Sequence, residues 1–286
     1  MRLVTYELAG KGRVAGVRGA EYVDLANADP SLPSTLKELL ALGAAGLARA
    51  KAATATGKGV AASSVKVLAP IPDPEKVICI GLNYADHAAE SGQPIPPEPV
   101  VFNKFPTAVS SHGAPIVLPK LSSKVDYEAE LVVVIGTGGR HIAESSALDH
   151  VAGYCCGHDV SARDWQLQKP GGQWLLGKTF DTFAPFGPEL VTADEVGDAG
   201  QLNIALRVDG QTLQNSNTRQ LIFGIPKLIA YVSSICTLKP GDIIFTGTPP
   251  GVGGARKPPI YLQPGQTAEV EIEKLGVLSN PIVAEG

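Results

Sequence analysis

One short segment, residues 126–135, most constrains how this chain can fold. It places acidic residues at alternate positions directly before an apolar run, in the order Asp126, Glu128, Glu130 and then Leu131-Val132-Val133-Val134-Ile135. In an extended strand, alternate side chains share a face, so the three acids lie on one side. Both faces become apolar beyond the acids, and a strand of that kind is usually buried between two layers. We therefore expect a central strand with carboxylates at its entrance.

The carboxylates at this entrance allow two interpretations. Buried acids at neighbouring positions repel each other and lose hydration unless a positive charge lies between them. A hard divalent cation would supply that charge, because oxygen ligands two residues apart on one strand converge at one point. The second interpretation is a frayed strand end whose acids are solvated. The segment alone leaves both open.

Length, charge and hydropathy narrow the class of protein. The 286 residues, 44% of them hydrophobic, suffice for one large core or for one large domain and a small one. A net charge of −4 and the lack of Lys or Arg runs argue against a nucleic-acid or anionic-membrane partner. No apolar run is long enough to span a bilayer, and the first residues do not resemble a signal peptide. We expect a cytoplasmic location.

The pattern along the chain predicts an α+β protein that is mainly β, in two domains. Residues 1–69 form the small N-terminal domain, with short strands in the first 25 residues and a helix over 35–55. Prolines over 70–74 mark the boundary. Residues 70–286 alternate strands with Gly and Pro turns, which favours a β-rich roll or barrel with a few helices. Those helices are predicted over 84–90, 161–168 and 225–234.

A further acid follows a second apolar segment. Asp159 follows a strand predicted over 151–158, whose apolar part is 151–156, and could complete a three-carboxylate oxygen site. Ser161 is predicted to cap a helix that places Arg163 and Gln166 on one face. A guanidinium and an amide so placed suit a substrate carboxylate, and a surface ion pair for Arg163 is the alternative.

Three other segments carry candidate chemistry. His87 and Glu90 lie three residues apart on a predicted helix, so the carboxylate could orient the imidazole as a base, or the two could form an exposed surface pair. The prolines that follow, over 94–99, suit a lid. Lys178 follows an apolar run and is either a buried fixed charge or a snorkelling lysine. The loop 247–254 either presents its amides to an anion or is a plain tight turn.

Five segments taken in order resemble the fumarylacetoacetate hydrolase family: 81–90, 126–136, 157–166, 174–181 and 247–253. The phrases Asp-Val-Ser-Ala-Arg-Asp-Trp-Gln, Gly-Lys-Thr-Phe-Asp-Thr-Phe and Thr-Gly-Thr-Pro-Pro-Gly-Val-Gly are most similar to the branch of fumarylacetoacetate hydrolase domain-containing proteins. The resemblance covers residues 70 to 283, roughly, and implies a β-roll catalytic core, a smaller N-terminal domain and a homodimer. It also implies a Mg²⁺ ion, with Mn²⁺ or Ca²⁺ as substitutes.

The resemblance further implies a role for each candidate residue. Glu128, Glu130 and Asp159 would hold the metal. The resemblance does not make Asp126 a ligand, so we expect it to lie behind the ligands or at the strand entrance. For the remaining residues it implies a catalytic group of His87, Glu90 and Lys178, and a substrate-binding group of Arg163, Gln166 and Thr248.

The activity implied by the resemblance is metal-dependent hydrolysis of a carbon–carbon bond in a 2,4-dioxo acid, such as an acylpyruvate or a diketo deoxy-sugar acid, to pyruvate and a second acid. The alternative uses the same small 2-oxo acid site for oxaloacetate decarboxylation or tautomerisation, or for isomerisation of a 2-hydroxy-dienedioate. A non-enzymatic carboxylate-binding protein is the third possibility.

Overall fold

The structure is a computed structural model and describes residues 1–286. The strands are β1 (Arg2–Leu8), β2 (Lys11–Arg18), β3 (Glu21–Asp24), β4 (Gly59–Ala61), β5 (Val67–Leu68), β6 (Val77–Gly81), β7 (Val100–Lys104), β8 (Val109–Ser110), β9 (Ile116–Leu118), β10 (Val125–Asp126), β11 (Ala129–Ile135), β12 (Val151–His158), β13 (Ser161–Ala162), β14 (Ala184–Thr192), β15 (Asn203–Val208), β16 (Gln211–Asn217), β17 (Ile243–Phe245), β18 (Thr267–Ile272) and β19 (Gly276–Ala284). The helices are α1 (Leu25–Ala28), α2 (Leu36–Ala41), α3 (Gly43–Thr56), α4 (Ala85–Ser91), α5 (Arg163–Leu167), α6 (Leu175–Lys178), α7 (Ala193–Val196) and α8 (Ile225–Ile235). None of these helices has the length and apolar character needed to cross a membrane.

Most strands join one large sheet with the order β4-β3-β2-β1-β14-β12-β11-β17-β6-β7. Neighbours in this path pair antiparallel except β17 and β6, which are parallel. The N-terminal strands reach the central ones through β1, which pairs with β14. A second sheet with the order β16-β15-β18-β19-β9 packs beside the first, and β10 pairs with β13. The mixed, strand-rich architecture confirms the predicted fold class.

Strand β11 lies between two cores, as the apolar run on both of its faces predicts. Leu131, Val133 and Ile135 point into a core of 39 buried residues that includes the inner face of the second sheet. Val132 and Val134 point into another of 23 residues, which contains the helices of the N-terminal segment. Because both faces are covered, the end of β11 that carries the acids is held at the centre of the molecule.

Local structure departs from the predictions at three places. The helix expected over 35–55 is two helices, since Gly43 adopts a positive φ of 62°, which interrupts the helical backbone between α2 and α3. The strand expected over 126–135 is interrupted at Tyr127 and Glu128, because Asp126 pairs in the separate β10 ladder and β11 begins at Ala129. Ser161 does not cap a helix: it lies in β13, and its hydroxyl donates to the carbonyl of Asp159.

Candidate active site

Three carboxylates converge where β11 and β12 meet. The two strands are antiparallel with Glu130 opposite Gly157, so Glu128, just before β11, lies beside Asp159, just after β12. A backbone hydrogen bond of 2.9 Å from Asp159 N to Glu128 O fixes this alignment. One carboxylate oxygen of each acid lies within 4.8 Å of the others. All three side chains are buried, so the solvated strand end is excluded.

The charges of this acidic triad are unevenly compensated. Burial, then Asp159 and Glu128, raise the pKa of Glu130 well above its ordinary value. Burial also acts to raise the pKa of Glu128, but Lys178 and Arg163 outweigh it and lower that pKa. Glu130 has only the Gly247 amide as a hydrogen-bond donor, at 2.8 Å. A buried all-oxygen donor set with one uncompensated carboxylate fits a hard divalent cation.

Two buried lysines flank the triad. Lys178 Nζ lies 2.6 Å from Glu128 Oε2 and 2.8 Å from Asp159 Oδ2, so this lysine does not snorkel to the surface. Burial acts to lower the pKa of Lys178, but the two carboxylates outweigh it and raise that pKa. Lys104 Nζ lies 2.6 Å from Asp159 Oδ1 and also donates to backbone carbonyls, including that of Val160 at 3.0 Å. Burial lowers the pKa of Lys104. Sequence reasoning missed Lys104, whose only signal is a cation at the end of an apolar strand.

Arg163 is engaged by protein carboxylates on the inner side of the site. Its Nε donates to Asp126 Oδ2 at 2.8 Å, its Nη2 to Glu128 Oε1 at 2.7 Å and its Nη1 to Gln166 Oε1 at 2.9 Å. The surface ion pair is therefore excluded. Burial acts to lower the pKa of Arg163, but Glu128 and Asp126 outweigh it and raise that pKa.

His87 and Glu90 form a hydrogen-bonded pair on α4. His87 Nδ1 lies 3.0 Å from Glu90 Oε2, and Gly251 N donates to both Glu90 oxygens at 2.9 and 3.1 Å. The loop after β17 therefore fixes the carboxylate that orients the imidazole. Because Nδ1 faces Glu90, Nε2 is the ring nitrogen left for a substrate or water.

The same loop carries Thr248, which is buried. A second residue that sequence reasoning missed, Gln214 on β16, donates through Nε2 to Thr248 Oγ1 at 2.9 Å and to Pro249 O at 2.8 Å. Its Oε1 accepts from Ala129 N at 2.8 Å, so Gln214 connects the loop to the start of β11. No local pattern marks Gln214, because its role depends on strand pairing between distant segments.

A cavity of about 830 Å³ brings all nine predicted site residues together. They are His87, Glu90, Glu128, Glu130, Asp159, Arg163, Gln166, Lys178 and Thr248. Aromatic and aliphatic side chains, among them Phe102 and Trp174, complete its wall. A concave site with an acidic triad, a positioned imidazole and buried cations has the components of enolate and proton-transfer chemistry.

Comparisons with known proteins agree with this arrangement. Residues 76–283 match the model of the fumarylacetoacetate (FAA) hydrolase C-terminal domain, so the chain belongs to the fumarylacetoacetate hydrolase family. The chain is 51% identical over 266 residues to oxaloacetate tautomerase fahd2, mitochondrial, of Xenopus laevis, covering 93% of this chain and 83% of that protein. Identity to oxaloacetate tautomerase FAHD2A, mitochondrial, of Homo sapiens is 49%, with 93% and 85% covered.

A solved structure supports the metal site. Maleylpyruvate hydrolase from Sphingobium sp. SYK-6, in complex with manganese(II) and pyruvate, superposes with a TM-score of 0.84 at 31% identity, covering all of both chains. The relatives also correct one expectation. The cytoplasmic location is wrong, since the tautomerases from Xenopus laevis and Homo sapiens that the chain resembles are named as mitochondrial proteins.

Proposed function

We propose that the protein is a divalent-metal-dependent enzyme that interconverts the keto and enol forms of oxaloacetate. The observation that carries the proposal is the oriented His87 imidazole in one cavity with the acidic triad. The family resemblance seen in the sequence implied hydrolysis as the main activity. However, the relatives that are 51% and 49% identical to this chain are named oxaloacetate tautomerases, which favours the alternative, tautomerisation.

The triad residues Glu128, Glu130 and Asp159 would hold the ion, with Mg²⁺ as the proposed metal. When bound, a divalent ion supplies a Lewis acid that chelates a 2-oxo acid and stabilises negative charge on the 2-oxo group. Lys178 adds a fixed positive charge beside two of these ligands. The protein therefore prepares the site for an enolate before substrate arrives.

His87 is the proposed acid–base group. Its Nε2 removes a proton from carbon 3 of the keto form, so the C–H pair forms the C2–C3 double bond and the C2 oxygen gains the charge. His87, now protonated, delivers the proton to that oxygen and completes the enol. Glu90 stabilises the transient imidazolium through Nδ1.

The hydrogen-bond directions around the cavity identify donors for the substrate. Thr248 Oγ1 accepts from Gln214, which leaves its hydroxyl hydrogen free to donate. Gln166 Oε1 accepts from Arg163, which leaves the Gln166 amide nitrogen to donate. Substrate oxygens accept hydrogen bonds, so both groups present the correct polarity.

The test measures decay of the enol's ultraviolet absorbance with Mg²⁺-loaded protein, after subtraction of the uncatalysed rate. His87→Gln is expected to lower kcat by about 100-fold or more, because general acid–base catalysis contributes that much. His150→Gln is the matched control, since the His150 imidazole hydrogen-bonds the Thr137 carbonyl and does not line the cavity. Full activity of His87→Gln would refute the assignment.

Hydrolysis of an acylpyruvate is the second candidate. It is favoured by the same His87–Glu90 pair, which could deprotonate water, and by the similarity to maleylpyruvate hydrolase. Incubation of acetylpyruvate with the Mg²⁺-loaded protein distinguishes the two reactions, since hydrolysis releases acetate and pyruvate and tautomerisation releases neither.

A further inference from the structure

Two lysines in the wall of the cavity have no ionic partner. The cavity is lined by four cationic side chains, Lys124, Arg163, Lys178 and Lys257. Arg163 and Lys178 are both engaged with buried carboxylates. Lys124 is half-buried and Lys257 is exposed, and neither ammonium group forms an ion pair within the protein. Their charges are therefore available to a ligand.

Backbone contacts place both lysines next to the Asp126–Arg163 pair. The carbonyl of Lys124 accepts from Arg163 N at 2.9 Å. The turn before Lys257 is fixed to the same pair, because Gly254 N donates to Asp126 Oδ2 at 2.8 Å. The chain after Lys257 returns to the same ladder, where Leu262 N donates to Val125 O at 2.9 Å. Both lysines thus lie on chain segments held close to the Asp126–Arg163 pair, and both line the cavity that contains the acidic triad.

The formal charge of the lining indicates what these lysines bind. Four carboxylates, from Glu90, Glu128, Glu130 and Asp159, line the cavity together with the four cations. These charges cancel, so a divalent ion at the triad leaves the lining with a charge of +2. A dianion neutralises that charge and a monoanion does not.

We propose that Lys124 and Lys257 form a subsite for the second carboxylate of a 2-oxo dicarboxylate whose 2-oxo acid end lies at the triad. The inference rests on the proposed function and extends it, because it makes the distal carboxylate the feature that selects the substrate. A simple acylpyruvate such as acetylpyruvate, which ends in an uncharged methyl group, gains nothing from the two lysines. The subsite therefore favours 2-oxo acids with a distal carboxylate over those without one.

The experiment compares two unreactive 2-hydroxy acids that differ in the distal carboxylate. Calorimetry gives Kd for malate and lactate with Mg²⁺-loaded wild type and with the Lys124→Met/Lys257→Met double variant. Wild type is expected to bind malate at least tenfold more tightly, since a charge-assisted hydrogen bond contributes about that factor. The double variant is expected to lose this preference with lactate binding unchanged. Lys51→Met, an exposed lysine on α3, is the matched control.

Oxalate separates a subsite from general attraction of anions. It has a 2-oxo acid-like chelating end and no distal group, so its Kd stays constant in the double variant if the lysines form a subsite. If the double variant binds oxalate and malate with equally reduced affinity, the lysines only attract anions in general, and the proposal is overturned. A preference for malate over lactate that the double variant retains would also overturn it. If the double variant loses the malate preference and wild type does not accelerate oxaloacetate tautomerisation, the subsite stands and the proposed reaction fails.

Discussion

Replacement of Asp126 by asparagine tests whether this carboxylate fixes the loop that borders the site. Oδ1 accepts from Tyr127 N at 2.8 Å and Gly253 N at 2.7 Å, and Oδ2 accepts from Gly254 N and Arg163 Nε, both at 2.8 Å. Asparagine keeps the shape but has one acceptor oxygen, so its amide nitrogen must face two donors. Each buried donor left without a partner costs about 1–3 kcal/mol, so the sum is about 2–6 kcal/mol.

Denaturant unfolding of wild type and Asp126→Asn measures this loss directly. The denaturant concentration at the midpoint of unfolding is expected to be lower for Asp126→Asn. The dependence of the unfolding free energy on denaturant concentration should stay the same, since the surface exposed on unfolding does not change. Asp73→Asn is the matched control: Asp73 is 79% exposed in a surface ion pair, where the cost is about 0–1 kcal/mol. Equal midpoints for wild type and Asp126→Asn would refute the reasoning.

The remaining predictions concern metal, pH and assembly. Saturating Mg²⁺ or Mn²⁺ should raise the Tm of wild type, and Glu130→Gln should abolish this rise; an unchanged rise would exclude Glu130 as a ligand. Burial acts to raise the pKa of Asp24, but the hydrogen bonds from Arg13, Asn27 and Tyr6 together with the charge of Arg13 outweigh it and lower that pKa. The Asp24–Arg13 pair therefore stabilises the protein at pH values above the unfolded-state pKa of Asp24, and this stability is lost as the pH falls. We expect Arg13→Met to reduce the decrease in Tm between neutral and acidic pH. The same decrease in Arg13→Met as in wild type would contradict this. If the protein is a homodimer, wild type should elute from a size-exclusion column at twice 29.7 kDa. Val101→Glu places a charge on the exposed edge strand β7 and should elute as a monomer. Val60→Glu lies on β4, at the opposite edge of the sheet, and should still elute as a dimer. A monomeric wild type would refute the dimer.

The acids of the triad could be predicted from sequence because two local rules place them at the ends of strands. Alternation places Glu128 and Glu130 at the entrance to β11, and the apolar run before Asp159 gives β12 with its observed bounds. Antiparallel pairing of the two strands then brings the acids together. The burial of Lys178 and Arg163 could not be predicted locally, because it depends on the carboxylates that each of them contacts.

Other elements lacked a usable local signal. Strand β16, with the sequence QTLQNSN, has the composition of a polar loop, and β14 contains two prolines, which usually argue against a strand. Lys104 and Gln214 lie on strands whose pairing sets their contacts, so no window of sequence identifies them. The bend at Gly43 is a backbone conformation, which the helical pattern of the flanking leucines conceals.

The loop after β17 has a consequence for how this site can change. Its backbone amides contact Glu130 at Gly247, Glu90 at Gly251 and Asp126 at Gly253, and Lys257 follows shortly after. One continuous stretch of chain thus positions the proposed metal ligand Glu130, the carboxylate that orients the proposed base His87, and the part of the cavity wall that carries Lys257. Substitutions within it will be epistatic, since residues that share partners have non-additive effects. A new substrate preference is therefore easier to evolve on the Lys124 side of the cavity, where a side chain can change without moving that loop.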